Sequence, residues 1–200
     1  RERGVVTVVD VAQSVGVVPI DLGAWRADFV VGSSVKWLCG GPGAAFLWVH
    51  QDRLADCEPL DVGWFSHEDP FEFDIHDFRF HDSALRFWGG TPSVAPFVLA
   101  AHSISLLHDI GIETVARHNR TLCERLMAAV RTEWLVSPAD AAQRGGTIIV
   151  QAGAKQEMLG QALSAARVRF DGRATGIRLS PHLVNSGAQI DAVAACVRDL

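Results

Sequence analysis

The chain has no tyrosine, two methionines and, beside sixteen arginines, only two lysines, Lys36 and Lys155. It has no apolar run approaching the roughly 20 residues of a membrane span, and no signal peptide opens it, so a membrane partner is not expected. The four cysteines, Cys39, Cys57, Cys123 and Cys196, are far apart with no C-x-x-C pair. That argues against a disulfide framework or a zinc site, fits a reducing cytoplasm, and leaves the thiols as small buried apolar groups. A net charge of −5 offers no basic footprint for nucleic acid.

What is present suits a globular protein. With 200 residues, 48% hydrophobic and 20% charged, the chain can bury the core of one domain or two small ones. It opens on Arg-Glu-Arg-Gly and passes at once into "GVVTVV" (4–9), as a piece from the middle of a larger fold would. This run reads as a buried strand ending on Asp10; "RADFVVGSS" (26–34) and "AAFLWVH" (44–50) read as two more. Residues 51–92 lose periodicity and gather aromatics and acids, the mark of an ordered irregular segment. From Ser93 the pattern turns helical, with Gly111 as a stop and a second amphipathic helix over 112–134. A strand at 146–151, a helix at 155–166, strands at 167–171 and 176–180 and a terminal helix at 188–200 complete a small α+β unit.

The scarcity of lysine bears on "VVGSSVKWLCGGPGAAFLWV", residues 30–49. A bare positive charge would here be arginine, so Lys36 points to a need for a primary amine. An amine at a strand end among apolar neighbours is partly desolvated, which lowers its pKa and makes it a nucleophile for a carbonyl. Guanidinium cannot form a Schiff base. Asp10 ends the first strand, and parallel neighbouring strands would bring both residues to one carboxyl edge, where α/β sheets bind ligands. Its carboxylate is either a turn cap or a partner for a protonated ring nitrogen. Gln13 is a loop amide or a cofactor ligand, and Ser33 and Ser34 are turn caps or phosphate ligands.

Further along, Trp64 in "VGWFSHE" is a core or interface aromatic, or a ligand. His67 borders a substrate pocket or satisfies a local hydrogen bond. Arg178 in "TGIRLSPH" sits on a strand among apolar residues, and there it needs either an internal carboxylate or that of a substrate. His67, His76 and His81 lie among Asp74, Asp77 and Asp82, but their spacing matches no metal signature, and no metal is expected.

The segment "DVAQSVGVVPIDLGAWRADFVVGSSVKWLCGGPGAAFLWV" resembles the lysine-bearing region of class V aminotransferase-fold, pyridoxal phosphate-dependent enzymes, and among them kynureninases. The likeness continues in family order through "VGWFSHE", "FWGGTP" and "GIRLSPHLVNS", and so over essentially the whole chain as the C-terminal half of such an enzyme. It implies an α/β, fold type I (aspartate aminotransferase-like) architecture, with part of the cofactor-binding large domain at 1–92 and a small α+β domain at 93–200. It further implies Lys36 as the lysine that bonds the cofactor, Asp10 at the pyridinium nitrogen, and Gln13, Ser33 and Ser34 beside the cofactor. Trp64 and Thr91 would reach the phosphate of a neighbouring subunit in a homodimer with shared sites. Arg178 would hold the carboxylate of an amino-acid substrate, with His67 beside it. Two positions depart from kynureninases: Gln13 replaces a histidine and Val35 a phosphate-binding tyrosine.

The reaction implied is hydrolysis of the Cβ–Cγ bond of kynurenine or 3-hydroxykynurenine, giving an anthranilate-type acid and alanine. Cysteine desulfurases and selenocysteine lyases share the fold but carry a nucleophilic cysteine before the carboxylate-binding arginine, and "RFDGRATGIR" has none. Another class V aminotransferase or lyase remains open. So does a catalytically silent chain, since the family's phosphate-cradling loop and ring-stacking aromatic lie upstream of the position of Asp10.

Overall fold

The computed structural model describes residues 3–200. The chain forms two compact units, one of residues up to Val15 with Ile20–Ser105, the other of Gly16–Pro19 with Leu106–Leu200.

The first unit is built on a three-stranded sheet of order β1 (Val8–Asp10), β2 (Phe29–Ser33), β3 (Ala45–Val49). β1 and β2 are parallel, with Asp10 opposite Val31, and β3 returns antiparallel to β2. Between β1 and β2 lies the short helix α1 (Leu22–Trp25), capped by Asp21, whose carboxylate accepts from the Ala24 N–H. The core here is small: Val11, Ala27 and Val30, with Val9, Ile20, Leu22 and Trp48 against it. Asp28 is fully buried, and its carboxylate accepts from the Thr7 N–H (2.8 Å), the Thr7 hydroxyl (2.9 Å) and Arg53 Nε (2.7 Å). Arg53 sits on α2 (Gln51–Leu54), so this carboxylate ties the chain before β1 to the chain after β3.

The expected buried strand over 4–9 is instead three residues long, and Val5, Val6 and Val8 are exposed. Among the described residues β1 has a strand neighbour on one side only, and nothing shields those valines from water. Residues 51–92 are irregular as the sequence implied, apart from α2, 3₁₀ turns at Trp64–Ser66 and Ala84–Phe87, and a lone bridge between His67 and Phe80. They lead into α3 (Val94–Ile110), whose residues to Ser105 belong with the first unit.

The second unit packs α4 (Ile112–Met127), α5 (Gln156–Ala165) and α6 (Gly187–Arg198) on one face of an antiparallel sheet of order β4 (Ile148–Val150), β6 (Gly176–Leu179), β5 (Asp171–Arg173). Alternation along the strands sends Ile148, Val150, Ile177 and Leu179 inward, against Leu122 and Leu126, Leu159 and Leu163, and Ile190, Val193 and Val197. α6 starts with a capping box between Ser186 and Gln189.

Two expectations shift. The helix expected to reach residue 134 ends at Met127, and a 3₁₀ turn then buries Trp134. The strand expected at 167–171 begins only at Asp171, because Arg167 adopts a left-handed conformation (φ 58°) and the Val168 N–H folds back to the Leu163 carbonyl at 2.9 Å, ending α5. Among the described residues no single helix is long and apolar enough to cross a membrane.

Candidate active site

Lys36 stands on the turn after β2, and that turn is fixed from within. The buried Ser34 hydroxyl reaches the carbonyls of Gly41 and Ala44, each at 3.0 Å. The Gly40 N–H returns to the Ser34 carbonyl (2.8 Å) and the Cys39 N–H to that of Lys36 (2.9 Å), with Cys39 left-handed at φ 55°. The loop is also seated on α3. Ser103 donates to the Leu38 carbonyl at 2.5 Å, and a Cβ at Gly40 would lie 2.8 Å from the Ala100 Cα, so only glycine allows this approach. Trp37 and Leu38 point inward and Lys36 outward. Its ammonium has no hydrogen-bond or ion-pair partner among the described residues. The expected desolvation is therefore absent: the apolar neighbours turn into the fold and leave the amine in solvent.

Asp10 lies at the carboxyl end of β1, beside the strand that delivers Lys36, so the parallel pairing puts both at one sheet edge. One of its oxygens caps the following turn by accepting the Ala12 N–H at 2.8 Å; the other is unengaged among the described residues. Gln13 is exposed on that turn. The two serines differ sharply. The Ser34 hydroxyl is spent on holding the lysine loop, whereas Ser33 is half-buried and its oxygen only receives the Val35 N–H at 3.4 Å.

Trp64 and Thr91 belong to one loop cluster. The backbones at Gly63 and Gly89 cross so closely that a Cβ at residue 63 would lie 1.5 Å from the Gly89 carbonyl oxygen. The buried Ser66 hydroxyl closes the crossing, accepting the Gly63 N–H at 3.0 Å and donating to the Trp88 carbonyl at 2.9 Å. Arg86, also buried, donates to the carbonyls of His81 (2.8 Å), Cys57 (3.0 Å) and Leu54, and lies over the Phe80 ring. Trp64 itself is 63% exposed and Thr91 is exposed.

His67 is 6% exposed and both ring nitrogens are occupied. Nδ1 accepts the Asp69 N–H at 2.8 Å, which leaves the proton on Nε2, 2.9 Å from the Asp77 carbonyl. The ring forms part of the wall of a cavity of about 360 Å³ bounded by Val62, Trp64, Phe73, Ile75 and Phe78. The neighbouring acids serve the loop: Asp69 and Asp74 cap turns, and Asp77 pairs with Arg79, whose guanidinium holds that carboxyl below its usual range. Among the described residues no group of three or more His, Cys, Asp or Glu side chains could hold a metal ion.

Arg178 is on β6 in the second unit, with its side chain 32% exposed on the sheet face away from the core. Its Nη2 lies 3.0 Å from Asp171 Oδ2, and the same oxygen accepts from Arg173 Nε at 2.7 Å. Asp171 and Arg173 were absent from the residues singled out in the sequence. The signal was there in "DGRATGIR": a two-residue turn at Ala174–Thr175 puts Asp171 opposite Arg178.

The family model described as Aminotransferase class-V matches residues 1–192. An uncharacterized aminotransferase of Bacillus subtilis is 30% identical over 98% of this chain and 52% of its own length. A kynureninase of Deinococcus radiodurans is 33% identical over 83% of this chain and 42% of its own. The chain thus spans about half the length of these curated relatives. Among solved structures, an apo cysteine desulfurase from Thermococcus onnurineus superposes with a TM-score of 0.84 at 20% identity, over 99% of this chain and 53% of that one. That likeness establishes the fold, the fold type I architecture of pyridoxal phosphate enzymes. With nearly its full length matched by the family model, the chain belongs to the class V aminotransferase family.

Proposed function

We propose that this chain carries the lysine side of the active site of a kynureninase-type hydrolase, which cleaves the Cβ–Cγ bond of kynurenine or 3-hydroxykynurenine to an anthranilate-type acid and alanine. The observation that carries the reading is the pairing of an unpartnered primary amine, Lys36, with the half-free carboxylate of Asp10 at one edge of parallel strands. Family membership brings pyridoxal 5'-phosphate as cofactor. The residues fit it: an amine for the aldehyde, a carboxylate for the ring nitrogen, and the Ser33 hydroxyl for the phosphate. When bound, the cofactor supplies an electron sink for a carbanion at the substrate Cα.

In this reading Lys36 would hold the cofactor through Nζ and, once the substrate amine has displaced it, that freed nitrogen would take the Cα proton. Asp10 keeps the ring nitrogen protonated through its unengaged oxygen. Arg178 grips the α-carboxylate with its planar fork. His67, with both nitrogens committed, shapes the cavity wall and moves no proton. The exposed Trp64 and Thr91 serve the phosphate of a second subunit in a homodimer. The kynureninase identity of 33% supports this choice of reaction, as does the absence of cysteine between Ala166 and Arg178.

A second reading, an aminotransferase of the same family, is favoured by Gln13 and by Val35, an exposed valine where kynureninases carry a phosphate-binding tyrosine. The full-length polypeptide loaded with pyridoxal phosphate and given kynurenine should release fluorescent anthranilate, and Lys36→Ala should abolish both that signal and the chromophore fixed by borohydride. A fixed chromophore with no anthranilate, but with amino transfer to a 2-oxo acid, would select the second reading.

A further inference from the structure

The β5–β6 hairpin gathers three charges on the sheet face opposite the core. Asp171 and Arg173 are two residues apart on β5 and so share a face, and the antiparallel register sets Arg178 directly across from Asp171. Both guanidinium groups converge on a single oxygen, Asp171 Oδ2, at 2.7 Å from Arg173 Nε and 3.0 Å from Arg178 Nη2. Among the described residues Arg178 has no other polar partner, so its Nε and Nη1 stay open. All three side chains are at least 32% exposed, and ion pairs of that kind add little to folding stability. Their arrangement needs another account.

We propose that Asp171 is a positioning residue for the Arg178 carboxylate clamp, and that Arg173 keeps Asp171 turned toward it; this rests on the reading of Arg178 as the clamp. An arginine side chain has several free torsions, and a fork that must be ordered at the moment of binding gives weaker recognition than one already held. A single contact at Nη2 fixes the guanidinium plane while leaving its other nitrogens to an incoming carboxylate. Arg173 has a second effect. With two cations and one anion the face keeps one net positive charge, the complement of one α-carboxylate, where an isolated Asp–Arg pair would be neutral.

The test uses the holoenzyme of the full-length polypeptide, titrated with L-alanine and with L-alaninamide and followed by cofactor absorbance. Wild type binds alanine at least about 10-fold more tightly than the amide, and Arg178→Gln erases the difference. Asp171→Asn weakens alanine binding about 10-fold and leaves alaninamide within about twofold. Asp171→Glu restores part of the loss, and Arg173→Gln gives a smaller loss of the same selectivity. An Asp171→Asn enzyme with unchanged selectivity, or with tighter alanine binding from its extra positive charge, overturns the positioning role and leaves the clamp standing. A wild type that does not discriminate between the two ligands overturns the clamp itself, and the role of Asp171 with it.

Discussion

The two units of this chain are held together by different means. Below the surface of the first, polar side chains hold irregular backbone in place. Asp28 joins the chain on either side of the sheet, Ser34 closes the lysine loop, Ser66 closes the crossing beside Trp64, and Arg86 collects three carbonyls. In the second unit a continuous apolar cluster from Leu122 to Val197 fills the space between three helices and a sheet. The cause is backbone geometry. Regular helices and strands satisfy their own N–H and C=O groups, whereas long loops need side chains to do it. The lysine, the Trp64 loop and the Thr91 loop all lie in the unit built from loops, where functional side chains can be aimed freely. The same unit carries all but four of the large apolar side chains that are exposed among the described residues, the four being Leu106, Val136, Met158 and Val184. Exposed apolar surface is thus a second feature that separates the first unit from the second.

Substitutions should separate these two kinds of stability, and hydrogen exchange resolved along the chain would read each unit by itself. Asp28→Ala should have the largest effect in the first unit, about 3–5 kcal/mol, because Arg53 and both Thr7 donors lose their acceptor. Val30→Ala, in the small apolar core, should cost only about 1–2 kcal/mol. In the second unit the order reverses in kind: Leu159→Ala, fully buried, should cost about 2–5 kcal/mol. Equal losses from Asp28→Ala and Val30→Ala would break the distinction. Arg86→Gln comes next, with a loss of about 2–3 kcal/mol confined to residues 54–91, since it removes the donor to carbonyls on two segments, Leu54 and Cys57 on one and His81 on the other. Protection lost instead across the β1–β2–β3 sheet would mean that Arg86 supports more than the loop cluster.

Much of the candidate site's placement was legible because its signals are local. One of only two lysines beside sixteen arginines, followed by glycines, marked the loop after β2, and the spacing of two apolar runs implied the parallel pair that brings Asp10 to the same edge. What stayed hidden depends on contacts far apart in sequence. Ser33 and Ser34 look alike as letters, yet the strand pleat turns one toward the loop carbonyls and leaves the other half-open. For His67 the sequence offered both a pocket wall and a local hydrogen bond without naming the partners, because these, at Asp69 and Asp77, are backbone groups that any residue could supply. The partner of Arg178 was missed because the strand was placed at 167–171, and Arg167, left-handed without being glycine, carried no warning of the break. The valines before Asp10 looked buried since composition reports apolarity and not cover.

An effect that appears only at high pH concerns Cys123, on α4 in the apolar core. Burial pushes its thiol up to about 11, from an ordinary value of 9.0. The native state therefore keeps this proton while the unfolded chain releases it near the ordinary value, so above that pH the unfolded state binds fewer protons and is favoured. The stability that Cys123 contributes is complete below pH 9, falls between about 9 and about 11, and levels off once the native thiol also ionises; the loss is on the order of 2–3 kcal/mol. The window is unusually clean, because the chain has no tyrosine and only two lysines to titrate nearby. Cys39, raised in the same direction by burial, adds a slope of the same sign in the first unit. Urea unfolding from pH 8 to 11, followed by far-UV circular dichroism, should fall less steeply in Cys123→Ala than in wild type. If wild type and variant fall in parallel, the second unit is not as closed to water at that helix as its packing requires.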